Sequence, residues 1–324
     1  MTRTDGVGRQ GKSRWAPALF FAGLCLVLIG AFVANTRFNG IFACAADGYS
    51  GDHYLGYCQA TAYGDYDHGA IWFDLEPRTV AHARSADVLF LGNSRTQFGF
   101  SAPSLGYWFS HQDRRHYLLG FSHTDNVAFV GPLLQRLAPR ARAYVINVDD
   151  FFATDPTPPA REVMQARGAE RHYRVKRLWQ WVHRRACEFE ARLCGDALAF
   201  YRQVETGEWQ LARFGGLQAA AIVSDAPFDG APIARRRAAA ERFIAQLGVP
   251  RDCIILTYVP QPYNQRQAAA ALASELGLQF ISPRLEGLMT FDGSHLDRAS
   301  AERFTTAFLE AAGPPLSACL DTEP

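Results

Sequence analysis

Hydrophobic positions in this chain fall into two arrangements. The first is unbroken: residues 16–34, APALFFAGLCLVLIGAFVA, run for nineteen positions with no charge and no polar face. That length matches a bilayer core of about 30 Å and predicts one N-terminal transmembrane helix. The second arrangement begins at residue 86, where short apolar runs closed by turn residues alternate with helix-length segments. The runs cover residues 88–91, 116–120, 143–148, 253–259 and 279–281, and the first stops abruptly at Gly92-Asn93-Ser94-Arg95. Helices are expected up to about residue 137, over about 265–276 and over 298–312. Continuous apolar runs of this kind read as buried parallel strands. Strands separated by helical crossovers predict an α/β fold with a three-layer open parallel sheet.

Two stretches break the rhythm. Residues 35–83, rich in Gly, Tyr and Asp, read as an irregular lead-in. Residues 151 to about 230 read as an insertion, entered through the Pro-rich turn at 155–159. Within it Val175, Leu178, Val182, Ala186, Phe189 and Leu193 recur at spacings of three and four, one apolar helix stripe. The other face carries Arg171, Arg174, Lys176, Arg177, Arg184 and Arg185. A helical cap over one side of the sheet is expected. Its basic face is either a surface for an anionic polymer or lipid headgroups, or a solvated helix face. The expected order is a tail (1–15), the span (16–34), the lead-in (35–83), the α/β domain (84–313) and a C-terminal tail (314–324).

Charge sets the topology. The 324 residues carry a net charge of only +1, and no basic excess points to nucleic acid as a partner. Arg3, Arg9, Lys12 and Arg14 precede the span against one acid, Asp5, which places the N-terminus in the cytoplasm and exports the rest. A cleaved signal peptide has the same basic front and is the competing reading. Beyond residue 15, 29 basic residues face 31 acidic ones. Cys25 lies in the span, and Cys44, Cys58, Cys187, Cys194, Cys253 and Cys319 lie beyond it. An even count in an oxidising compartment permits disulfides. Proximity favours Cys44–Cys58 and Cys187–Cys194, with Cys253–Cys319 by elimination, although six cysteines allow fifteen pairings. Cys253 reads equally as a small buried residue on a strand.

No cofactor is expected: the chain has no Walker loop and no GxGxxG. No metal is expected either, since CxxC and Cys/His zinc spacings are absent and loop composition accounts for His53, His68 and His82. What remains is a serine. Ser94 would sit beyond the carboxyl end of the first parallel strand, where open α/β sheets bind ligands. Gly92 allows a sharp turn and a close approach. Far along the chain Phe291-Asp-Gly-Ser-His-Leu296 offers His295 as a base and Asp292, three residues earlier, to orient it. Serine needs such a base to attack at neutral pH. Each residue also has a structural reading: Ser94 as a turn residue, Asp292 as an Asx-turn former and His295 as a hydrogen-bonded histidine. The α/β-hydrolase elbow GxSxG is absent, because Thr96 stands at its last position.

Gly92-Asn-Ser94-Arg95 after the first strand and Asp292-Gly-Ser-His295 near the C-terminus together resemble the SGNH (GDSL-type) hydrolase superfamily. The likeness covers about residues 86–312, outside the insertion, and implies a flavodoxin-like sheet. It implies catalytic roles for Ser94, His295 and Asp292. Gly120 matches the second-block glycine, and backbone N–H groups at Ser94 and Gly120 are the natural oxyanion donors. The third block departs from the family pattern, since Asn147-Val-Asp149-Asp150 stands where Gly-x-Asn-Asp is usual. Asn147 is then a displaced oxyanion donor, Asn126 an alternative one, and Asp149 and Asp150 read as caps of the next helix. Arg95 is expected either to bind a substrate carboxylate or phosphate or to form a structural ion pair.

A tethered, exported domain of this kind resembles the bacterial alginate O-acetylation proteins and the D-alanyl-transfer protein of teichoic acid synthesis. That likeness implies acyl transfer to, or acyl removal from, a cell-envelope polysaccharide. It also implies a location at the inner membrane with the domain in the periplasm, and a membrane-bound O-acyltransferase as partner. The alternative is a non-catalytic binding or scaffold protein of an envelope polysaccharide assembly complex.

Overall fold

The computed structural model describes residues 16–59, 61–212, 218–222, 233–262 and 265–321. The expected cytoplasmic tail (1–15), part of the insertion and the last three residues of the C-terminal tail lie outside the described residues. The chain starts with α1 (Ala16–Phe38), then β1 (His53–Cys58), β2 (Gly64–Asp65), α2 (Asp67–Trp72) and α3 (Pro77–Ser85). The α/β segment follows with β3 (Val88–Asn93), α4 (Ser94–Gly99), α5 (Ala102–His111), β4 (His116–Phe121), α6 (Val127–Leu137) and β5 (Ala143–Asn147). Next come α7 (Pro158–Gln165), α8 (Ala169–Phe189), β6 (Ala199–Gln203), β7 (Trp209–Ala212) and the short β8 (Ala220–Ala221). The chain closes with α9 (Ile233–Gln246), β9 (Ile254–Thr257), α10 (Arg266–Leu276), β10 (Gln279–Phe280), β11 (Met289–Thr290) and α11 (Arg298–Asp321).

The five expected strands form one parallel sheet in the order β10-β9-β5-β3-β4. Alternate residues of each strand enter two separate cores. Leu89, Leu91, Tyr117, Leu119, Ile146 and Leu256 pack under α3, α6, α9 and α10. Val88, Phe90, Leu118, Val145 and Ile255 pack under α5 and α11. Burial on both faces is why the middles of these strands are apolar, with polar residues such as Asn93, His116, Asn147 and Thr257 at their ends. The last helix runs to Asp321 rather than ending near 312, and Cys319 at its end is bonded to Cys253 at the entry to β9. The other two disulfides are Cys44–Cys58 and Cys187–Cys194. All three bridges suit an oxidising, extracytoplasmic compartment. α1 is long and apolar enough to cross a membrane, a test that a signal sequence passes as well.

The lead-in is not irregular. β1 and β2 pair with β6 and β7 of the insertion in a second, antiparallel sheet, ordered β2-β1-β6-β7. The insertion therefore does more than cap a face of the first sheet. Its β6–β7 turn meets the edge strand, where the Leu118 N–H donates to the Thr206 carbonyl at 2.8 Å. That bond satisfies an edge donor which would otherwise face solvent or another chain. Helix α8 forms as expected, but it buries a different face. Tyr173, Lys176, Gln180, His183 and Cys187 point inward, while Leu178 is 61% and Phe189 90% exposed. The inward side chains are polar because they meet polar groups. Lys176 donates to the Asp65 carbonyl, Gln180 to the Leu55 carbonyl, and His183 pairs with the Tyr49 hydroxyl.

A buried Asp–His–Asp cluster joins β2, α2 and the turn before α6. The His68 Nδ1 lies 3.0 Å from Asp65, and its Nε2 lies 3.3 Å from Asp125. Ser122 donates to Asp65 and Thr157 to Asp125. Burial disfavours the imidazolium, yet the two carboxylates outweigh it and raise the His68 pKa to about 10. A raised folded-state pKa gives stability that is complete below the ordinary histidine value and is lost as pH climbs through 10. Thermal midpoints measured from pH 6 to pH 10 should therefore fall. In His68→Gln the same series should be much flatter and start lower.

Candidate active site

The site sits where the strand order of the parallel sheet reverses. The chain passes from β3 to β4 on one side and returns to β5 on the other, so β3 and β5 flank the crossover crevice at their carboxyl ends. Ser94 opens α4 directly after β3. Asn93 caps this helix, its Oδ1 accepting the Arg95 N–H at 2.9 Å. Gly92 is required by space, because a Cβ there would collide with the Thr96 hydroxyl and press on Asn147.

The second half comes from the segment between β11 and α11. Thr290 and Leu296 bridge in antiparallel fashion, and Gly293, with φ 80°, turns the chain between them. Asp292 does two jobs with two oxygens. Its Oδ1 accepts the backbone N–H groups of Ser294 and His295 at 2.9 and 2.8 Å, the Asx-turn role. Its Oδ2 lies 2.6 Å from the His295 Nδ1. Partial burial opposes the charge on Asp292, but the imidazole and the two N–H groups win, holding the carboxyl below its usual pKa. The His295 Nε2 then lies 2.8 Å from the Ser94 Oγ, bridging 201 residues of sequence. Phe291 stacks on the imidazole at 5.6 Å, and Phe98 meets it edge-on at 5.1 Å. With Nδ1–H held by Asp292, Nε2 is left to accept a proton from the serine hydroxyl.

The remaining residues divide by what already occupies them. Arg95 is an ion-pair residue: its Nη1 lies 2.8 Å from Asp149 Oδ2, and its Nη2 donates to the Ser294 hydroxyl at 3.3 Å. It thereby ties the serine turn to the histidine turn. Asn126 caps α6 through Oδ1 and donates Nδ2 to the Asp155 carbonyl, so its amide is engaged. Asn147 is fully buried; its Oδ1 accepts the Val259 N–H, and its Nδ2 has no hydrogen-bond partner among the described residues. Gly120 pairs in register with Gly92. A Cβ on Gly120 would come within 2.5 Å of the Asn93 carbonyl, so only glycine lets the serine turn approach this closely.

Asp149 is the residue that sequence reasoning misplaced. The next helix starts only at Pro158, and Asp149 caps nothing. Its Oδ2 accepts from both the Asn93 Nδ2 and the Arg95 Nη1, each at 2.8 Å. Arg236 fixes the same loop by donating to the Asp149 carbonyl and to Asp150. The available signal was positional: Asn93 and Asp149 lie at the ends of two strands that the fold makes neighbours. Comparison of the chain with family models, with curated proteins and with solved structures gives no match in any of the three.

Proposed function

We propose that this protein is a serine-dependent ester hydrolase or O-acyltransferase of the SGNH type, acting on a cell-envelope polysaccharide through an acyl-serine. The observation that carries the reading is the continuous hydrogen-bonded series from Ser94 through His295 to Asp292. Ser94 Oγ attacks the carbonyl carbon of an acyl ester while His295 Nε2 takes its proton. Asp292 holds the imidazolium in place. The carbonyl π electrons move to oxygen, and backbone N–H groups at Ser94 and Gly120 serve as the donors to that oxyanion. Its collapse expels the alcohol, which leaves with the proton from His295. A sugar hydroxyl or water then repeats the sequence on the acyl-serine, and that choice separates transferase from esterase.

The glycan part of the reading has its own support. Half-buried rings lead away from His295: Phe98 lies 5.5 Å from Phe200, which stacks on Tyr57 at 5.5 Å. Such rings offer flat apolar faces to the C–H faces of a pyranose. The envelope location rests on α1 and the disulfides. We place the N-terminus in the cytoplasm, the domain in the periplasm, and a membrane-bound O-acyltransferase as the donor-side partner.

Treatment with a serine-reactive phosphonate should give a single adduct on Ser94 by mass spectrometry. The second reading, a non-catalytic envelope scaffold, is favoured by the engagement of the Asn126 amide and the burial of Asn147. Absence of both an adduct and p-nitrophenyl ester turnover would select it. Asp149 separates positioning from binding. Asp149→Ala frees Asn93 and Arg95 and should lower kcat by about 100-fold with KM little changed. Asp149→Asn, which keeps an acceptor oxygen, should recover part of the loss.

A further inference from the structure

The outer face of α8 is laid out unlike a solvated helix. Val175, Leu178 and Phe189 lie opposite the buried residues Tyr173, Lys176, Gln180, His183 and Cys187, and Trp181 flanks them at 61% exposure. The opposition follows from the helix repeat, since the two stripes are offset by two residues, about 200°. Arg171, Arg174, Arg177, Arg184 and Arg185 lie on and beside the apolar stripe. Arg174 pairs with Glu170, Arg184 and Arg185 with Glu188, and Arg177 with Glu76, all across exposed or half-exposed contacts that solvent and salt weaken. Exposing this much apolar and aromatic surface to water is costly, and such patches mark contact sites.

What covers the stripe is indicated by its neighbour. Phe32 of α1 lies 6.5 Å from Trp179 of α8, ring to ring. The single turn Ile41–Ala43 after α1 packs on α8, with Phe42 against His183 at 5.6 Å. Phe32 precedes the end of α1 at Phe38 by six residues, about 9 Å of helix rise. A membrane spanned by α1 therefore has its surface at the level of α8. Trp and Leu on one side, with Arg along the border, is the composition of helices that lie in the headgroup region.

We propose that α8 lies flat in the membrane surface beside α1, its Val175–Leu178–Phe189 stripe among the acyl chains. Its arginines exchange or share their weak surface ion pairs with the phosphates of anionic lipids. The exported domain then rests on the bilayer at a fixed orientation instead of swinging on a tether. This goes beyond the catalytic reading and rests only on the reading of α1 as a retained membrane span.

The test uses the full chain, inserted in nanodiscs of phosphatidylglycerol and brominated phosphatidylcholine. Tryptophan fluorescence of the wild type should contain a bromolipid-quenched component that W179F/W181F lacks. In L178E/F189E the same component should be lost, with the thermal midpoint unchanged because both side chains are exposed. Equal bromolipid quenching in the wild type and in W179F/W181F would overturn the proposal. So would Trp179 and Trp181 that stay open to aqueous acrylamide in the discs, the result expected if a protein partner covers this face.

Discussion

Ser94→Ala is expected to lower ester turnover by about four to six orders of magnitude, the scale at which nucleophile removal acts in hydrogen-bonded triads. The thermal midpoint should move by no more than about 2 °C, because the change deletes one partly exposed hydrogen bond worth about 1 kcal/mol. The pairing of these two results matters. A structural serine would show the opposite balance, with stability lost and turnover kept. His295→Ala should match Ser94→Ala, and the double variant should be no worse than either single one, since groups that act as a unit fail together. Asp292→Asn should cost about 10⁴-fold, the scale of a misplaced tautomer. Asparagine keeps the Oδ1 that accepts the Ser294 and His295 N–H groups, so the turn survives and the midpoint should stay close to that of Ser94→Ala. Retained turnover in Ser94→Ala would end the acyl-serine reading.

The parts of the fold that were legible in sequence are those built from local patterns. Four of the five parallel strands are mainly apolar runs because they are buried on both faces, while β10, a half-buried two-residue edge strand, was carried by the helix before it. Their order along the chain, with helices between, leaves few ways to assemble them. Once the sheet is parallel, the turn after β3 and the Asp292–His295 turn have a common end of the sheet to occupy. The proximity of Ser94 and His295 is thus a consequence of topology as much as of motif.

The second sheet was not legible, and the reason is distance. β1 pairs with β6 almost 150 residues later, and its burial does not alternate, so neither partner shows period-two patterning. Missing that sheet had a second consequence at α8. An apolar stripe normally faces the protein, but here the protein offers carbonyls and hydroxyls to the helix, from Leu55, Asp65, Tyr63 and Tyr49. The polar residues of α8 turn inward to meet them and the apolar ones turn out. Asp149 escaped for a related reason, since its partners Asn93 and Arg95 are contributed by another strand end.

Beside the Leu118–Thr206 bond, a buried arginine reaches from the second sheet to the first, and removing it should be the most damaging single change away from the site. Arg202 on β6 is fully buried, and all five of its N–H donors are used. Nε and Nη2 bind the two oxygens of Asp67 at 2.8 and 2.6 Å. Nη1 donates to the carbonyls of Leu118 and Gly207, and Nη2 also to that of Gly120. The Tyr54 hydroxyl completes the shell of Asp67. Arg202→Met would leave the buried Asp67 carboxylate without its counter-charge and take a donor from the Gly207 carbonyl, while Gln97 still donates to those of Leu118 and Gly120, at a cost of about 3–5 kcal/mol. In a protein of this size that corresponds to a midpoint lower by roughly 10 °C. Arg202→Lys should fare little better, because three donors on a point charge cannot reproduce a planar fork. Asp67→Leu combined with Arg202→Met should be milder than Arg202→Met alone, since removing both charges costs less than stranding one. Calorimetry on the three variants decides the matter: an Arg202→Met midpoint within about 2 °C of wild type would mean that β6, α2 and β4 are held together by packing and not by this arginine.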